Sequence, residues 1–365
     1  ALEQGNLFLV PLDDRRQWYR YHHLFADVLQ AHLLDEQADD VPDLHRRASR
    51  WYEQNGDESE AIDHALAAED FERAADLVEL AIPTLRRDRR EATLRSWLKV
   101  IPDELLRVRP VLNIGFVGAL VSGGELEGIE GRLRDAERWL EDGTAGSPAS
   151  ASGQMVVVDV AELPRLPGTI EMYRAALALV EGDWPGTVTH AKRAIELSPE
   201  EDQLPRAGAA GLMGLAFWGS GDLEAGHRAY AECMAGLRRA GHVSDTFGCA
   251  IALADIRIAQ GRLGDAMRTY EQALKLSVGP RGSDQGGLVL RGTADMYVGM
   301  SEIHRERNDL PAATRCLLRS QELGEHLGLP QNPHRWRVAM ARVREAKGDL
   351  DGALDLLDEA ERRYV

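Results

Sequence analysis

The sequence predicts an all-α protein built as a stack of helical hairpins, and three observations carry that prediction. A helix stop followed at once by a helix restart recurs along the chain; its spacing stays near 40 residues; and small and bulky residues alternate at fixed offsets around it. The stop reads NGDESEA from Asn55, EGDWPGT from Glu181, SGDLEAG from Ser220, QGRLGDA from Gln260, RNDLPAA from Arg307 and KGDLDGA from Lys347. Measured at Gly182, Gly221, Gly261, Asn308 and Gly348, the last five are 39, 40, 47 and 40 residues apart. Self-similarity at such a period marks a solenoid of stacked repeats.

Each stop has a local chemical cause. Glycine or asparagine adopts the left-handed conformation that ends one helix, and the aspartate after it caps the next. Counting the turn glycine as position 15 of a tetratricopeptide-type repeat, position 8 is Ala175, Gly214, Ala254, Ser301 and Ala341. Position 20 is Thr187, Gly226, Ala266, Ala313 and Ala353, while position 24 is often bulky, as at Tyr230, Tyr270, Leu317 and Leu357. Antiparallel helices interlock through such pairing of small with large, so residues 169–365 read as five hairpins.

Upstream the theme is less regular. LHRRASRWYEQNGDESEAIDHALAAED fits the same register, with Ser49, Ala61 and Ala65 at positions 8, 20 and 24. The amphipathic segments DFERAADLVELAIPTL, EATLRSWLKVIP and SGGELEGIEGRLRDAERWLED extend the helical reading to residue 142. GTAGSPASASG, from Gly143, reads as a flexible loop, after which QMVVVDVAELP is expected to lead back into helix.

Composition removes several function classes. The formal charge is −17, with 39 arginines and only four lysines scattered among acids, a balance that repels nucleic-acid phosphates. Cys233, Cys249 and Cys316 are too few and too widely spaced for a disulfide framework or a CxxC metal knuckle, which implies a reduced, cytoplasmic setting. No apolar run approaches the roughly 18 to 20 residues that span a bilayer. The chain opens on Ala1 and closes inside a predicted helix, so it reads as a fragment of a longer protein.

The sequence offers no catalytic or metal-binding constellation. Lys99, Lys192, Lys275 and Lys347 sit in LKV, AKR, LKL and AKG, none of which is the Gly-Lys-Ser/Thr of a phosphate-binding loop. The glycine-rich VGPRGSDQGG, Val278 to Gly287, reads as a connection between repeats. Nucleophile-elbow, zinc-helix and EF-hand patterns are missing, so no enzyme activity is expected of this stretch. The adjacent His22 and His23 in QWYRYHHLFADVLQAHL point about 100° apart on a helix and cannot share one metal. The segment is expected to form an amphipathic helix with Tyr21, Leu24, Phe25, Val28 and Leu29 buried.

NLFLVPLDDRRQWYRYHHLFADVLQAHL resembles the end of the winged-helix region in the MalT-like family of large ATP-binding LuxR-type (LAL) transcription regulators, which are STAND proteins. LHRRASRWYEQNGDESEAIDHALAAEDFERAADLVE resembles the helical segment that follows it there. LPRLPGTIEMYRAALALVEGD, SDTFGCAIALADIRIAQGRLGDAMRTYEQAL and LRGTADMYVGMSEIHRERNDL are similar to that family's tetratricopeptide sensor. The resemblance implies a winged-helix tail over residues 1–40, a helical-repeat arm over 41–142, a linker over 143–168 and a right-handed superhelix of sensor repeats over 169–365, cut at its C-terminus. It also implies an ATP- or ADP-binding NTPase domain upstream and a DNA-binding domain downstream, with self-association on activation; no cofactor is implied for this stretch itself. Tyr21-His22-His23-Leu24 resembles the Met-His-Asp signature of related STAND ATPases, with His22 in the histidine place and departures at Tyr21 and His23, which implies nucleotide sensing by His22.

The resemblance implies ligand contacts at repeat positions 2, 5, 9, 12 and 13, which share one helix face. Here they select Met172 and Leu179; Leu215 and Trp218; Ile251, Asp255 and Ile258; Asp295, Glu302 and Arg305; and Arg335 and Arg342. The implied role is a sensing and oligomerisation module that binds an inducer in the concave groove. The alternative is a scaffold whose groove binds a peptide or partner protein.

Overall fold

The computed structural model describes residues 9–11, 19–88, 90–142, 154–242, 245–277, 290–324 and 327–364. The segments GTAGSPASASG and VGPRGSDQGG lie outside them. The chain divides into two compact units, Ala1–Leu163 and Pro164–Val365.

In the first unit, β1 (Leu9–Pro11) and β2 (Tyr19–Tyr21) pair antiparallel, Leu9 with Tyr21 and Pro11 with Tyr19. α1 (His23–Glu36) follows, with His22 in an extended conformation at its N-cap. The continuous helix expected across this segment is therefore replaced by a strand and a helix. Tyr19, Arg20 and Tyr21 fall where an aromatic, half-exposed strand is favoured over helix. The expected burial also fails: Tyr21, Leu24 and Val28 are 43%, 63% and 63% exposed, because no described element packs over that face of α1.

α2 (Val41–Gln54) and α3 (Glu58–Ala67) form the first hairpin. Ser49 and Ala61 are fully buried where they meet; the Ser49 hydroxyl donates to the Ala61 carbonyl at 2.7 Å and accepts from Arg73 Nε at 2.9 Å. Among the described residues, α4 (Phe71–Arg87), α5 (Glu91–Leu98), α6 (Asp103–Arg107), α7 (Pro110–Ser122) and α8 (Ile129–Asp142) are the unit's further helices. α7 is apolar on every side and buried from Pro110 to Leu120, which makes it the central helix of this unit.

Residues 154–159 are irregular rather than helical. Val156 N–H donates to the Val108 carbonyl at 2.9 Å, and the buried Glu79 carboxylate accepts from the N–H groups of Val158 and Asp159 at 2.8 and 3.0 Å. This backbone already has its partners, so helix restarts only beyond a 3-10 turn at Leu163–Arg165.

The second unit consists of five hairpins. They are α9 (Leu166–Val180) with α10 (Trp184–Leu197), α11 (Gln203–Gly219) with α12 (Leu223–Arg239), α13 (Thr246–Ala259) with α14 (Leu263–Ser277), α15 (Thr293–Glu306) with α16 (Leu310–Leu323), and α17 (Asn332–Ala346) with α18 (Leu350–Tyr364). Gly182, Gly221, Gly261, Asn308 and Gly348 all take positive φ, from 58° to 88°. Four of these stops are sealed by the next residue's N–H reaching back five positions: Asp183 to Ala178, Arg262 to Arg257 and Asp309 to His304 at 2.8 Å, and Asp349 to Arg344 at 3.0 Å. Asp183, Asp222, Asp309 and Asp349 then cap the following helices, accepting at 2.9 to 3.0 Å from the N–H three residues on.

Small residues set the helix spacing. Ala175, Ala254 and Ser301 at position 8, and Thr187, Ala266 and Ala313 at position 20, have no exposed surface. A Cβ at Gly214 would press on the Tyr230 ring, and one at Gly299 would overlap the Tyr270 phenol. Cys233 on α12 and Cys249 on α13 bring their buried thiols within 3.4 Å, a proximity their separation of 16 residues does not announce.

Asp222→Ala removes the cap on Ala225 N–H and is expected to cost about 1 kcal/mol, read as a lower midpoint in urea unfolding at an unchanged slope. An unchanged midpoint would mean that the cap contributes nothing to the hairpin.

Candidate functional site

The first helices of the last three hairpins converge on one cleft. Helical spacing places Asp255, Ile258 and Ala259 on one face of α13, Val298 and Glu302 on one face of α15, and His334, Arg335, Val338 and Arg342 along α17. Together they line a cavity of about 370 Å³, at the small end of the roughly 300 to 1,000 Å³ of ligand pockets. Its apolar lining is Ile258, Ala259, Val298 and Val338, and its charges come as two carboxylates and two guanidiniums.

The charges form two groups. At the mouth, Arg342 donates to both oxygens of Glu302 at 3.1 and 2.9 Å, with side chains 50% and 23% exposed. On the floor, the Tyr270 hydroxyl donates to Asp255 Oδ1 at 3.2 Å, and Arg335 donates to Asp295 Oδ1 at 3.5 Å. Asp295 is fully buried and also accepts from Leu329 N–H at 2.8 Å, tying α15 to the chain just ahead of α17.

Burial governs the ionisation of the floor. Desolvation pushes the Asp255 carboxyl above the ordinary carboxylate range, while Arg335 and the Tyr270 hydroxyl pull it partly back. Desolvation likewise raises Asp295 against its bond from Leu329. The Tyr270 phenol is pushed up by burial and by Asp255. Burial works against the Arg335 charge, and Tyr270, Asp255 and Asp295 more than offset it, holding its pKa high.

The residues selected from sequence separate on this geometry. Asp255, Glu302, Arg335 and Arg342 line the cleft, and Ile258 lies beside them. Asp295 sits beneath it, reaching it only through Arg335. Arg305 lies 3.9 Å from Glu302 and pairs with Glu306, outside the lining. Ile251 is 9% exposed in the core around Phe247 and Tyr270, so its side chain serves packing rather than the cleft. Trp218 packs edge-on to Tyr230, centroids 6.5 Å apart, and Met172 packs on the core around Ala209. Leu215 is 42% exposed on α11, away from the cleft. In the first unit, His22 is exposed, its ring 4.3 Å from that of His23.

Four lining residues escaped selection. Val298 and Val338 stand at position 5 and Ala259 at position 13, so the same positional rule applied throughout would have found them. His334, at position 1, lies outside the rule, and the Tyr270 hydroxyl beneath the floor carries no sequence signal, because position 24 reads as packing. Among the described residues, no group of three or more His, Cys, Asp or Glu is placed to hold a metal, and no helix is long and apolar enough to cross a membrane.

Residues 168–365 match the MalT-like TPR region, and residues 1–41 match the MalT winged helix domain. The serine/threonine-protein kinase PknK of Mycobacterium tuberculosis is 29% identical over 384 residues, covering 97% of this chain and 30% of the kinase. The HTH-type transcriptional regulator MalT of Cronobacter sakazakii is 27% identical over 275 residues, covering 75% of this chain and 28% of the regulator. This chain thus spans less than a third of the length of these relatives. Among solved structures, a Signal Transduction ATPase with Numerous Domains (STAND) protein with a tetratricopeptide repeat sensor from Pyrococcus horikoshii superposes with a TM-score of 0.60. The match covers 94% of this chain and 49% of that one at 12% identity, a likeness of fold.

An acid whose pKa is raised by folding stabilises the fold below its ordinary value, 3.8 for Asp255, and that contribution is lost as pH rises through the folded value. Asp255→Asn keeps an acceptor for Tyr270 and removes the desolvated charge. The variant is expected to be more stable than the parent at pH 7, with the gap closing as pH falls through the raised folded value to 3.8. Denaturation at both pH values checks this, and an Asn variant less stable at pH 7 would show that Arg335 outweighs desolvation.

Proposed function

We propose that this chain, which belongs to the MalT-like TPR family, is the ligand-sensing and protein-interaction part of a larger ATP-dependent transcription regulator of the LuxR and MalT type. Its inducer would sit in the cleft formed by α13, α15 and α17. The observation that carries the reading is that one cavity draws its charged lining from three consecutive repeats. A ligand there touches all three at once, and its affinity depends on how they are stacked. Differential affinity for two stackings is what a sensor requires.

The relatives support separating sensing from output. One is named a kinase and the other a transcriptional regulator, yet both share this stretch. The part common to different effectors is the natural seat of the signal. ATP hydrolysis, DNA binding and self-association on activation are assigned to the full-length protein, with ATP or ADP held by a domain beyond this chain. His22 is proposed to report on that nucleotide from the winged-helix end. The cytoplasm is the proposed location.

One experiment on the full-length protein tests these assignments together. Purified with bound ADP, it is expected to release the nucleotide faster when a metabolite that binds this chain is added, and also when His22 is replaced by alanine without ligand. If no metabolite from a broad library binds this chain in calorimetry, while a protein partner does so in the groove, the scaffold reading replaces the inducer. Unchanged ADP retention in His22→Ala would leave that histidine a purely structural part of the β2–α1 junction.

A further inference from the structure

The lining of the cleft is sorted by helix. Both guanidiniums, Arg335 and Arg342, come from α17, whereas the carboxylates Asp255 and Glu302 come from α13 and α15. The cavity therefore carries both signs of charge, sorted by the helix that supplies them, with the apolar side chains of Ile258, Val298 and Val338 also in its lining. A net anion or a net cation would gain from one set of charges and be opposed by the other. A neutral ligand would gain from hydrogen bonds without drawing on the separation of charge.

We propose that the ligand of this cleft is a zwitterion of amino-acid to short-peptide size with free ammonium and carboxylate ends and an apolar side chain, lying across the cleft with its carboxylate on the α17 arginines and its ammonium on Asp255 and Glu302. The inference rests on the sensing reading above and specifies the chemical class of the inducer.

The local energetics permit such an exchange. The Glu302–Arg342 pair at the mouth is half exposed on its arginine side and bidentate, and a pair in contact with water contributes little to stability. A ligand carboxylate replacing Glu302 on Arg342 keeps the two-pronged geometry that a guanidinium favours. The released Glu302 then stands beside the ligand ammonium. Asp255 receives the Tyr270 hydroxyl on one oxygen, and an ammonium supplies donors to the other. The floor pair anchors Arg335, 21% exposed toward the cleft, on the fully buried Asp295, so Arg335 acts as a fixed positive charge while the mouth pair opens. Binding of this kind replaces the direct tie between α15 and α17 at the mouth with one made through the ligand, the change in relative placement through which a stack of repeats would report occupancy.

The test uses the chain as it stands and three pools of dipeptides: one with free ends, one N-acetylated and one C-amidated, with a mixture of neutral oligosaccharides alongside. Equilibrium dialysis with mass-spectrometric detection is expected to retain members of the free pool, and capping either end of a retained member is expected to weaken it at least about tenfold, the loss of one charge-assisted contact. The double variant Glu302→Arg with Arg342→Glu keeps an ion pair at the mouth but reverses its polarity. It should melt like the parent and bind the retained dipeptide at least about tenfold more weakly. Equal retention of capped and free forms, or undiminished binding by the reversed variant, would overturn the zwitterion. A neutral oligosaccharide held equally by parent and reversed variant would overturn it too while leaving the sensing reading in place, whereas retention of no small molecule in these pools or in the metabolite library would remove both. Should the reversed variant unfold, Arg342→Gln is the second variant, with the same tenfold loss expected for the free dipeptide and no loss for its amide.

Discussion

The close approach of antiparallel helices is the constraint on which the rest of the second unit depends. It exists because the residues at the crossing points are small: Ala175, Ala254 and Ser301 on first helices meet Thr187, Ala266 and Ala313 on second helices, all without exposed surface. Interiors are packed to near-crystalline density, so an added methylene at such a point separates two helices over their length. At two of the glycines the facing residue is large. Tyr230 lies against Gly214, and Tyr270 lies against Gly299. The second of these contacts joins consecutive repeats, because Tyr270 belongs to α14 and Gly299 to α15.

That same contact reaches the cleft. The Tyr270 ring is held by core packing, and its hydroxyl is therefore fixed beneath Asp255 at 3.2 Å. Asp255 and Arg335 are kept in a desolvated layer where charge is costly unless compensated. The compensation is spread over three helices: Asp255 on α13, Asp295 on α15 and Arg335 on α17, with Tyr270 of α14 among them. A change in any of these contacts is felt by the stacking of three repeats. A buried polar network of this kind, when every member is satisfied, is worth more than the sum of its pairs.

Legibility in the sequence followed the range of the interaction. The stops at Gly182, Gly221, Gly261, Asn308 and Gly348 and the caps at Asp183, Asp222, Asp309 and Asp349 were readable because each is settled within five residues of chain. The hairpins followed from them. Four of the cleft's charged residues fall at the contact positions that the resemblance implies, whereas Trp218 and Ile251 stand at the same positions and pack on the core; a shared position identifies a face, and only packing decides what covers it. The Tyr270 hydroxyl, the Cys233–Cys249 contact and the tie from Glu79 to Val158 and Asp159 all join residues distant in sequence, and no local pattern announces them. The β2–α1 junction was misread as one helix because aromatic and apolar residues at Tyr21, Leu24 and Phe25 satisfy helical spacing as well as the end of a strand.

The central claim is that a packing residue sets the chemistry of the cleft, and the carboxyl of Asp255 reports on it without any ligand. Its titration, followed by carbon-13 NMR in the parent chain and in Tyr270→Phe, is the most direct measurement. The account predicts a midpoint above the ordinary 3.8 in the parent, because burial disfavours the charge, and a further rise in Tyr270→Phe, because the hydroxyl that favours the ionised form is gone. A parent midpoint at the ordinary value, or one that does not move when the hydroxyl is removed, would contradict it.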